Sequence, residues 1–169
     1  MTKKPGIDVR ELINKIETIT RDRMAQKEVV SIGELRKLQK NDPKTLLIIE
    51  DDESMRAALR RIFEGEGYIV KTAADGTQLS AVVGDSLFDL ILMDVGLPWI
   101  NGLELAQLLK AHEDLKNIPL IFVSGRTSEE DIKRGFAVGA DDYITKPFDI
   151  HTVQKSVRTL IKLHAPKNS

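Results

Sequence analysis

Short apolar runs alternate with helical patterns through most of the chain, and this alternation is what most constrains the fold. The apolar runs have strand length and lie at 45–49, 68–72, 88–93, 118–123 and 143–145. Each is followed by a segment whose apolar residues have helical spacing, at 54–64, 75–83, 102–112, 128–138 and 149–164. Such alternation is typical of a doubly wound α/β domain, a parallel sheet covered by helices on both faces with right-handed crossovers. The 169 residues are long enough for one such domain and an extension.

The segment before this domain has the pattern of a helical extension. Asp8 and Ser31 each fit a helix start, with a glutamate three residues further on. An Asn-Asp-Pro sequence ending at Pro43 stops the second helix, because the residue before a proline avoids helical geometry. The apolar stripe of the first helix either packs on the domain or mediates self-association or partner docking. We therefore predict a two-helix extension, an α/β domain and a short tail, over 1–43, 44–164 and 165–169.

The charge balance gives no global attraction to nucleic acid or to anionic lipid. Lys and Arg total 25 against 26 for Asp and Glu, so any such binding would have to be local. Because the sequence has no cysteine, disulfides, thiolate metal sites and cysteine nucleophiles are excluded. No apolar run reaches the roughly 18 residues that a membrane span needs. We expect a soluble cytoplasmic protein that binds neither nucleic acid nor membrane.

Polar side chains follow four of the five predicted strands. Glu50 and Asp51 come directly after the first strand, and Asp94 comes after the third. Ser124 ends the fourth strand and Lys146 follows the fifth. Because open α/β sheets bind ligands at the carboxyl ends of their strands, near the switch point, we expect these groups to share one crevice. Two carboxylates about 4 Å apart repel by roughly 4 kcal/mol at an effective dielectric of 20, so the cluster needs a counter-charge.

Two counter-charges are available, and together they suit a phosphoryl group. Magnesium prefers oxygen ligands such as carboxylates and phosphates, and Lys146 would point into the same crevice. A carboxylate nucleophile, a metal that spreads charge, and a serine and a lysine that bind oxygens are the parts that phosphoryl transfer uses. Each residue alone would be explained as a loop, surface or helix-start residue. Their coincidence at four strand ends favours a functional site.

In these motifs the chain resembles the receiver domain of two-component response regulators, over about residues 45–163. The motifs in chain order are Ile48-Ile49-Glu50-Asp51-Asp52, then Leu92-Met93-Asp94 with Pro98 and Asn101-Gly102 behind it, then Phe122-Val123-Ser124, and finally Gly139-Ala140-Asp141-Asp142-Tyr143-Ile144-Thr145-Lys146-Pro147-Phe148. The resemblance implies a five-stranded, flavodoxin-like parallel sheet of order 2-1-3-4-5. It also implies that the peptide bond before Pro147 is cis.

The resemblance further implies a phosphotransfer site. Asp94 would accept a phosphoryl group from a histidine kinase or a phosphotransfer protein, with Mg²⁺ required. Asp51 and Asp94 would bind the metal directly, Glu50 would assist through water, and the carbonyl of Gly96 would be a further ligand. Glu50, Asp51 and Asp52 are consecutive, so the acid pair of the metal site could instead be Asp51 and Asp52. The position of the helix that follows favours Glu50 and Asp51 as the pair.

Ser124 and Tyr143 correspond to the switch residues of that family. A phosphoryl group on Asp94 would draw in the Ser124 hydroxyl, and the Tyr143 ring would turn into the space that is freed. The face made by the fourth helix, fifth strand and fifth helix would then change and bind a downstream protein target. This face and the amino-terminal helices are the two surfaces that could hold a homodimer together.

We expect the chain to take part in its own phosphotransfer and dephosphorylation without being an enzyme for other substrates. A phosphatase of the haloacid-dehalogenase type would need a second aspartate two residues after Asp94, and that position is Gly96. Two alternatives stay open. One is a phosphorylation-independent scaffold or dimerisation module. The other is the receiver fragment of a longer regulator with an output domain, since few residues follow Leu163.

Overall fold

Five strands alternate with five helices along residues 43–165. The computed structural model describes these residues together with residues 10, 12–14 and 18. The strands are β1 (Thr45–Ile49), β2 (Ile69–Ala73), β3 (Leu90–Met93), β4 (Leu120–Ser124) and β5 (Asp142–Thr145). The helices are α1 (Glu53–Gly65), α2 (Gly76–Asp85), α3 (Gly102–Ala111), α4 (Glu129–Ala137) and α5 (Ile150–His164).

The strands form one parallel sheet in the order β2-β1-β3-β4-β5, which confirms the predicted fold. β1 pairs with both β2 and β3, and Ile49 at its end lies opposite Met93. The chain moves from β1 to one edge of the sheet and then returns to β3 before it moves toward the other edge. The switch point therefore lies between the ends of β1 and β3, where Glu50 and Asp94 leave the sheet.

Both faces of the sheet are covered, which explains the continuous apolar run in β1. Leu47 and Ile49 point into a core shared with α2 and α3, while Leu46 and Ile48 point into a core shared with α1 and α5. All four side chains are at most 1% exposed. Packing on both faces fixes the position of β1, and with it the position of the residues that follow Ile49.

Each of the five helices begins at a residue whose side chain accepts a hydrogen bond from the first turn. These capping residues are Asp52, Asp75, Asn101, Ser128 and Asp149. Side-chain caps satisfy backbone amides that have no partner inside the helix. In the described part of the chain, no helix combines the length and the apolar character needed to cross a membrane.

Two strands begin two residues later than their apolar runs predict. The third was expected from residue 88 and the fourth from residue 118, but they begin at Leu90 and Leu120. Phe88 and Ile118 are buried in the loops before these strands, at 4% and 3% exposure. Each of these two apolar runs therefore begins with a loop residue that is apolar because it is buried, and only the later residues form the strand.

Leu12 connects the amino-terminal segment to the domain. The residues described here, 10, 12–14 and 18, are helical. Leu12 is 2% exposed and belongs to the same core as Leu105 and Leu109 of α3. The rest of the predicted first helix and all of the predicted second helix lie outside the described residues.

Candidate functional site

Three carboxylates converge at the switch point of the sheet. The amide of Asp94 donates a 3.1 Å hydrogen bond to the carbonyl of Ile49, which ties the ends of β3 and β1 together. One carboxylate oxygen each from Glu50, Asp51 and Asp94 lies within 4.8 Å of the other two. Glu50 is 2% exposed, whereas Asp51 is exposed. This geometry gives a cation access from solvent on one side and a buried ligand on the other.

Lys146 supplies the positive charge inside this cluster. Its Nζ donates hydrogen bonds of 2.8 Å to Oε2 of Glu50 and 3.1 Å to Oδ2 of Asp94. Its backbone amide donates a 2.8 Å hydrogen bond to the carbonyl of Ser124, which fixes the residue at the end of β4 and β5. The peptide bond between Lys146 and Pro147 is cis, as the resemblance implies.

The surroundings of the central ion pair, Glu50 and Lys146, shift the pKa of both groups. Burial raises the pKa of Glu50, and the hydrogen bond and charge of Lys146 only partly oppose this. Burial lowers the pKa of Lys146, but its bonds with Glu50 and Asp94 outweigh burial and raise it. Both pKa values are raised, which disfavours the charged form of Glu50 and favours the charged form of Lys146. The Glu50 side chain is 3% exposed and has one lysine, whereas Lys146 is 21% exposed and has two carboxylates. The cluster therefore keeps Lys146 charged and favours binding of additional positive charge.

Asp52 does not join the cluster, because its side chain caps α1. Its Oδ1 accepts a 2.7 Å hydrogen bond from the amide of Met55. Glu50 and Asp51, rather than Asp51 and Asp52, are the consecutive acids that approach Asp94.

Arg56 is a neighbour of the site that the sequence analysis missed. Its Nη1 donates to the backbone carbonyls of Glu50 and Asp51, at 3.0 and 3.2 Å. These bonds hold the loop after β1 against α1. The position of Arg56, in the first turn of the helix predicted over 54–64, gave no signal of this contact because it depends on how the loop bends.

Ser124 and Tyr143 are both hydrogen-bonded to the backbone of one residue, Arg126. Ser124 is 1% exposed, and its hydroxyl oxygen accepts a 3.2 Å hydrogen bond from the amide of Arg126. The Tyr143 hydroxyl donates a 2.6 Å hydrogen bond to the carbonyl of the same residue, Arg126. Burial raises the pKa of Tyr143, while a hydrogen bond with Ser124 lowers it and the charges of Asp131 and Asp94 raise it further.

The backbone after Asp94 turns sharply and brings α3 against it. The amide of Gly96 donates a 3.0 Å hydrogen bond to Oδ1 of Asp94. The amide of Gly102, the first residue of α3, donates a 2.9 Å hydrogen bond to the carbonyl of Val95. A Cβ at Gly102 would lie 2.6 Å from Cα of Val95 and closer still to the carbonyl oxygen of Asp94, so the helix can begin here only with glycine.

A doubly wound parallel sheet with acids and a lysine at its switch point defines an α/β domain with an acidic crevice. Residues 46–158 match the family model described as the response regulator receiver domain. The chain therefore belongs to the response regulator receiver family of two-component signalling, which confirms the resemblance found in the sequence. Receiver domains bind Mg²⁺ at an acidic pocket and are not a classical enzyme family.

Named relatives agree with this assignment. The chain is 40% identical over 116 residues to the aerobic respiration control protein ArcA of Escherichia coli K12, covering 69% of this chain and 48% of ArcA. The chemotaxis response regulator CheY4 of Vibrio cholerae superposes with a TM-score of 0.65 at 30% identity, covering 70% of this chain and 98% of CheY4. The response regulator TrrA of Thermotoga maritima, solved in complex with Mg²⁺-BeF, gives a TM-score of 0.60 at 26% identity, covering 69% and 98%. The chain spans about half the length of the curated relatives it matches.

Proposed function

We propose that this chain accepts a phosphoryl group on Asp94 and acts as a phosphorylation-controlled switch. The observation that carries the proposal is the approach of Glu50, Asp51 and Asp94 within 4.8 Å, with Lys146 bonded to two of them. Like charges at this spacing are costly without a function that uses them. A scaffold that only needed the fold would have no reason to hold them together.

In the proposed reaction, a carboxylate oxygen of Asp94 attacks the phosphorus of a phosphohistidine on a histidine kinase or a phosphotransfer protein. The oxygen–phosphorus bond forms as the phosphorus–nitrogen bond breaks, and the leaving histidine nitrogen keeps the electron pair and takes a proton from water. Lys146 holds Asp94 in place and donates to the phosphoryl oxygens. A hydroxyl has one donor and two acceptor positions. Ser124 accepts from Arg126, and its own O–H would donate to a phosphoryl oxygen.

The residues proposed to hold Mg²⁺ are Asp51 and Asp94 directly, Glu50 through water, and Gly96 through its carbonyl. An all-oxygen donor set with an exposed side suits a small hard cation that keeps some of its water. When bound, the metal supplies positive charge that offsets the charge of the transferred phosphoryl group. The proposal is supported by TrrA, which was solved with Mg²⁺-BeF.

The proposed output is binding of a downstream protein. A phosphoryl group adds about −1.5 to −2 charges, enough to bias an element that has two arrangements. Ser124 and Tyr143 would carry that change to the α4–β5–α5 face, through the backbone of Arg126, to which both are hydrogen-bonded. This face and the amino-terminal segment before Lys44 are the proposed candidates for self-association.

The test is phosphorylation by acetyl phosphate, read by intact mass. We expect one phosphoryl group to appear on the wild type with magnesium, and none with a chelator. Asp94→Asn should abolish the modification. Asp52→Asn is the matched control, because it removes a neighbouring charge outside the cluster while asparagine still caps α1.

The outcomes separate the proposal from its rivals. Equal modification of Asp94→Asn and the wild type would place the acceptor elsewhere and overturn the assignment. A wild type that is modified neither by acetyl phosphate nor by a phosphorylated histidine phosphotransfer protein would favour the phosphorylation-independent scaffold.

A further inference from the structure

The Tyr143 ring lies in a gap between α4 and the end of β4. Its centroid is 5.9 Å from that of Phe122, and the two ring planes are inclined at 52°. Tyr143 lies opposite Phe122 in the pairing of β4 with β5. The other wall of the gap is the backbone of α4 at Gly135.

Gly135 makes this gap possible because it has no side chain. A Cβ at Gly135 would lie 2.7 Å from Cδ2 and 3.0 Å from Cε2 of Tyr143, and 3.3 Å from Cδ2 of Phe122. Contacts under 3.0 Å force a displacement, and the ring is the group that can turn. Gly135 is buried inside α4 and is not among the glycines with positive φ, so the backbone there does not require glycine. Since glycine lowers helix stability relative to alanine, the benefit of this residue is the space it leaves.

The ring position is linked to the proposed phosphoryl site through the backbone of one residue, Arg126. The Tyr143 hydroxyl is bonded to the carbonyl of Arg126, and the amide of Arg126 is bonded to the Ser124 hydroxyl. If the ring leaves the gap, the hydroxyl leaves the Arg126 carbonyl. The loop at Arg126 then keeps the hydrogen bond to Ser124 but loses the one to Tyr143.

We propose that Gly135 is a positioning residue for the switch: the space it leaves admits the inward Tyr143 ring and couples that ring to Ser124 and Asp94. The inference rests on the proposed function, in which Asp94 carries the phosphoryl group. A side chain at position 135 would hold the ring outward. The phosphorylated state would then lose the stabilisation that the inward ring provides.

The test uses fluorine NMR of protein labelled with fluorotyrosine, titrated with beryllofluoride and Mg²⁺ as a phosphoryl mimic. The chain has two tyrosines, and Tyr68 packs on Phe63 of α1, away from the gap, so it serves as an internal reference. In the wild type we expect the Tyr143 signal to shift on binding, because the ring in the gap is bonded to Arg126 beside the site, while the Tyr68 signal stays. In Gly135→Ala we expect no Tyr143 shift and an affinity for the mimic weakened about fivefold or more, the usual lower range of coupling between sites. Gly65→Ala is the matched control, since a Cβ there meets nothing within 4 Å.

A second background shows whether the effect passes through the ring. In Tyr143→Ala, where the ring is absent, Gly135→Ala should not change the affinity for the mimic further. An equal loss in both backgrounds would overturn the proposal, as would a wild-type Tyr143 response in Gly135→Ala or a Tyr143 signal that never responds. If instead the wild type failed to bind the mimic at all, the proposed function would fail, and the two failures are thereby distinguishable.

Discussion

The ammonium nitrogen of Lys146 lies 2.8 Å from Oε2 of Glu50, although 96 positions separate the two residues in the chain. This contact places a positive charge beside a carboxylate that is 2% exposed. It also leaves the ammonium in reach of Asp94, at 3.1 Å. Lys146 therefore stabilises the folded domain as well as serving the proposed chemistry.

We predict that Lys146→Met destabilises the protein by about 2 kcal/mol when divalent cations are removed, because two carboxylates lose charged hydrogen bonds. Added Mg²⁺ should reduce this difference, since the variant cluster is more negative and attracts the cation more strongly. Urea unfolding in chelator and in magnesium measures both effects. Lys155→Met is the control, an exposed lysine on α5. A variant as stable as the wild type in chelator would contradict the prediction.

Magnesium affinity should separate the three consecutive acids. Glu50→Gln and Asp51→Asn each remove a negative charge from the cluster, so we expect the affinity for Mg²⁺ to fall by more than about tenfold. A tenfold loss corresponds to about 1.4 kcal/mol of binding free energy. Asp52→Asn should have little effect, since Asp52 caps α1. Calorimetric titration of the variants measures this. A large loss for Asp52→Asn together with none for Glu50→Gln would reverse the proposed ligand assignment.

Tyr143→Phe should reveal a pH-dependent contribution to stability. At neutral pH we expect the variant to be less stable by about 1 kcal/mol, because the hydrogen bond to Arg126 is lost. Burial raises the pKa of Tyr143, so the folded chain keeps the phenol proton after the unfolded chain has released it. This contribution is therefore full below the unfolded pKa and is lost as the pH rises through the folded pKa. The stability difference between wild type and variant should shrink above about pH 10. Unfolding curves on both sides of that pH test this, and a constant difference would refute it.

Leu12→Ala should destabilise the domain by about 2 kcal/mol or more, because a leucine that is 2% exposed leaves a cavity beside α3. Asn14→Ala is the matched control, since Asn14 is exposed in the same helical segment. Chemical unfolding of both variants measures the effect. A Leu12→Ala protein with wild-type stability would mean that the amino-terminal segment adds nothing to the core.

The alternation of strands and helices and the family motifs could be predicted from the sequence because their signals are local, whereas the sheet order followed only from the family resemblance. An apolar run ending in Asp94, and acids directly after Ile49, place polar groups at strand ends without any knowledge of the packing. The rule that ligands bind at the switch point then brings them together. Strand starts were less predictable, since Phe88 and Ile118 are apolar through burial in loops rather than through strand pairing.

Contacts made across the fold could not be predicted in this way. The bonds from Arg56 to the carbonyls of Glu50 and Asp51 depend on how the β1–α1 loop turns. The space beside Gly135 depends on how closely α4 approaches β5. A glycine in a helical pattern indicates only a weaker helix until the ring that uses its space is located.

The close approach of Gly102 to the backbone of Asp94 and Val95 has a consequence for genetics. Every missense change at codon 102 adds a Cβ, and every such Cβ would overlap the peptide group between Asp94 and Val95. A saturating loss-of-function screen should therefore recover all substitutions at this codon, including alanine and serine. Codon 65, where an added Cβ meets open space, should tolerate the same changes.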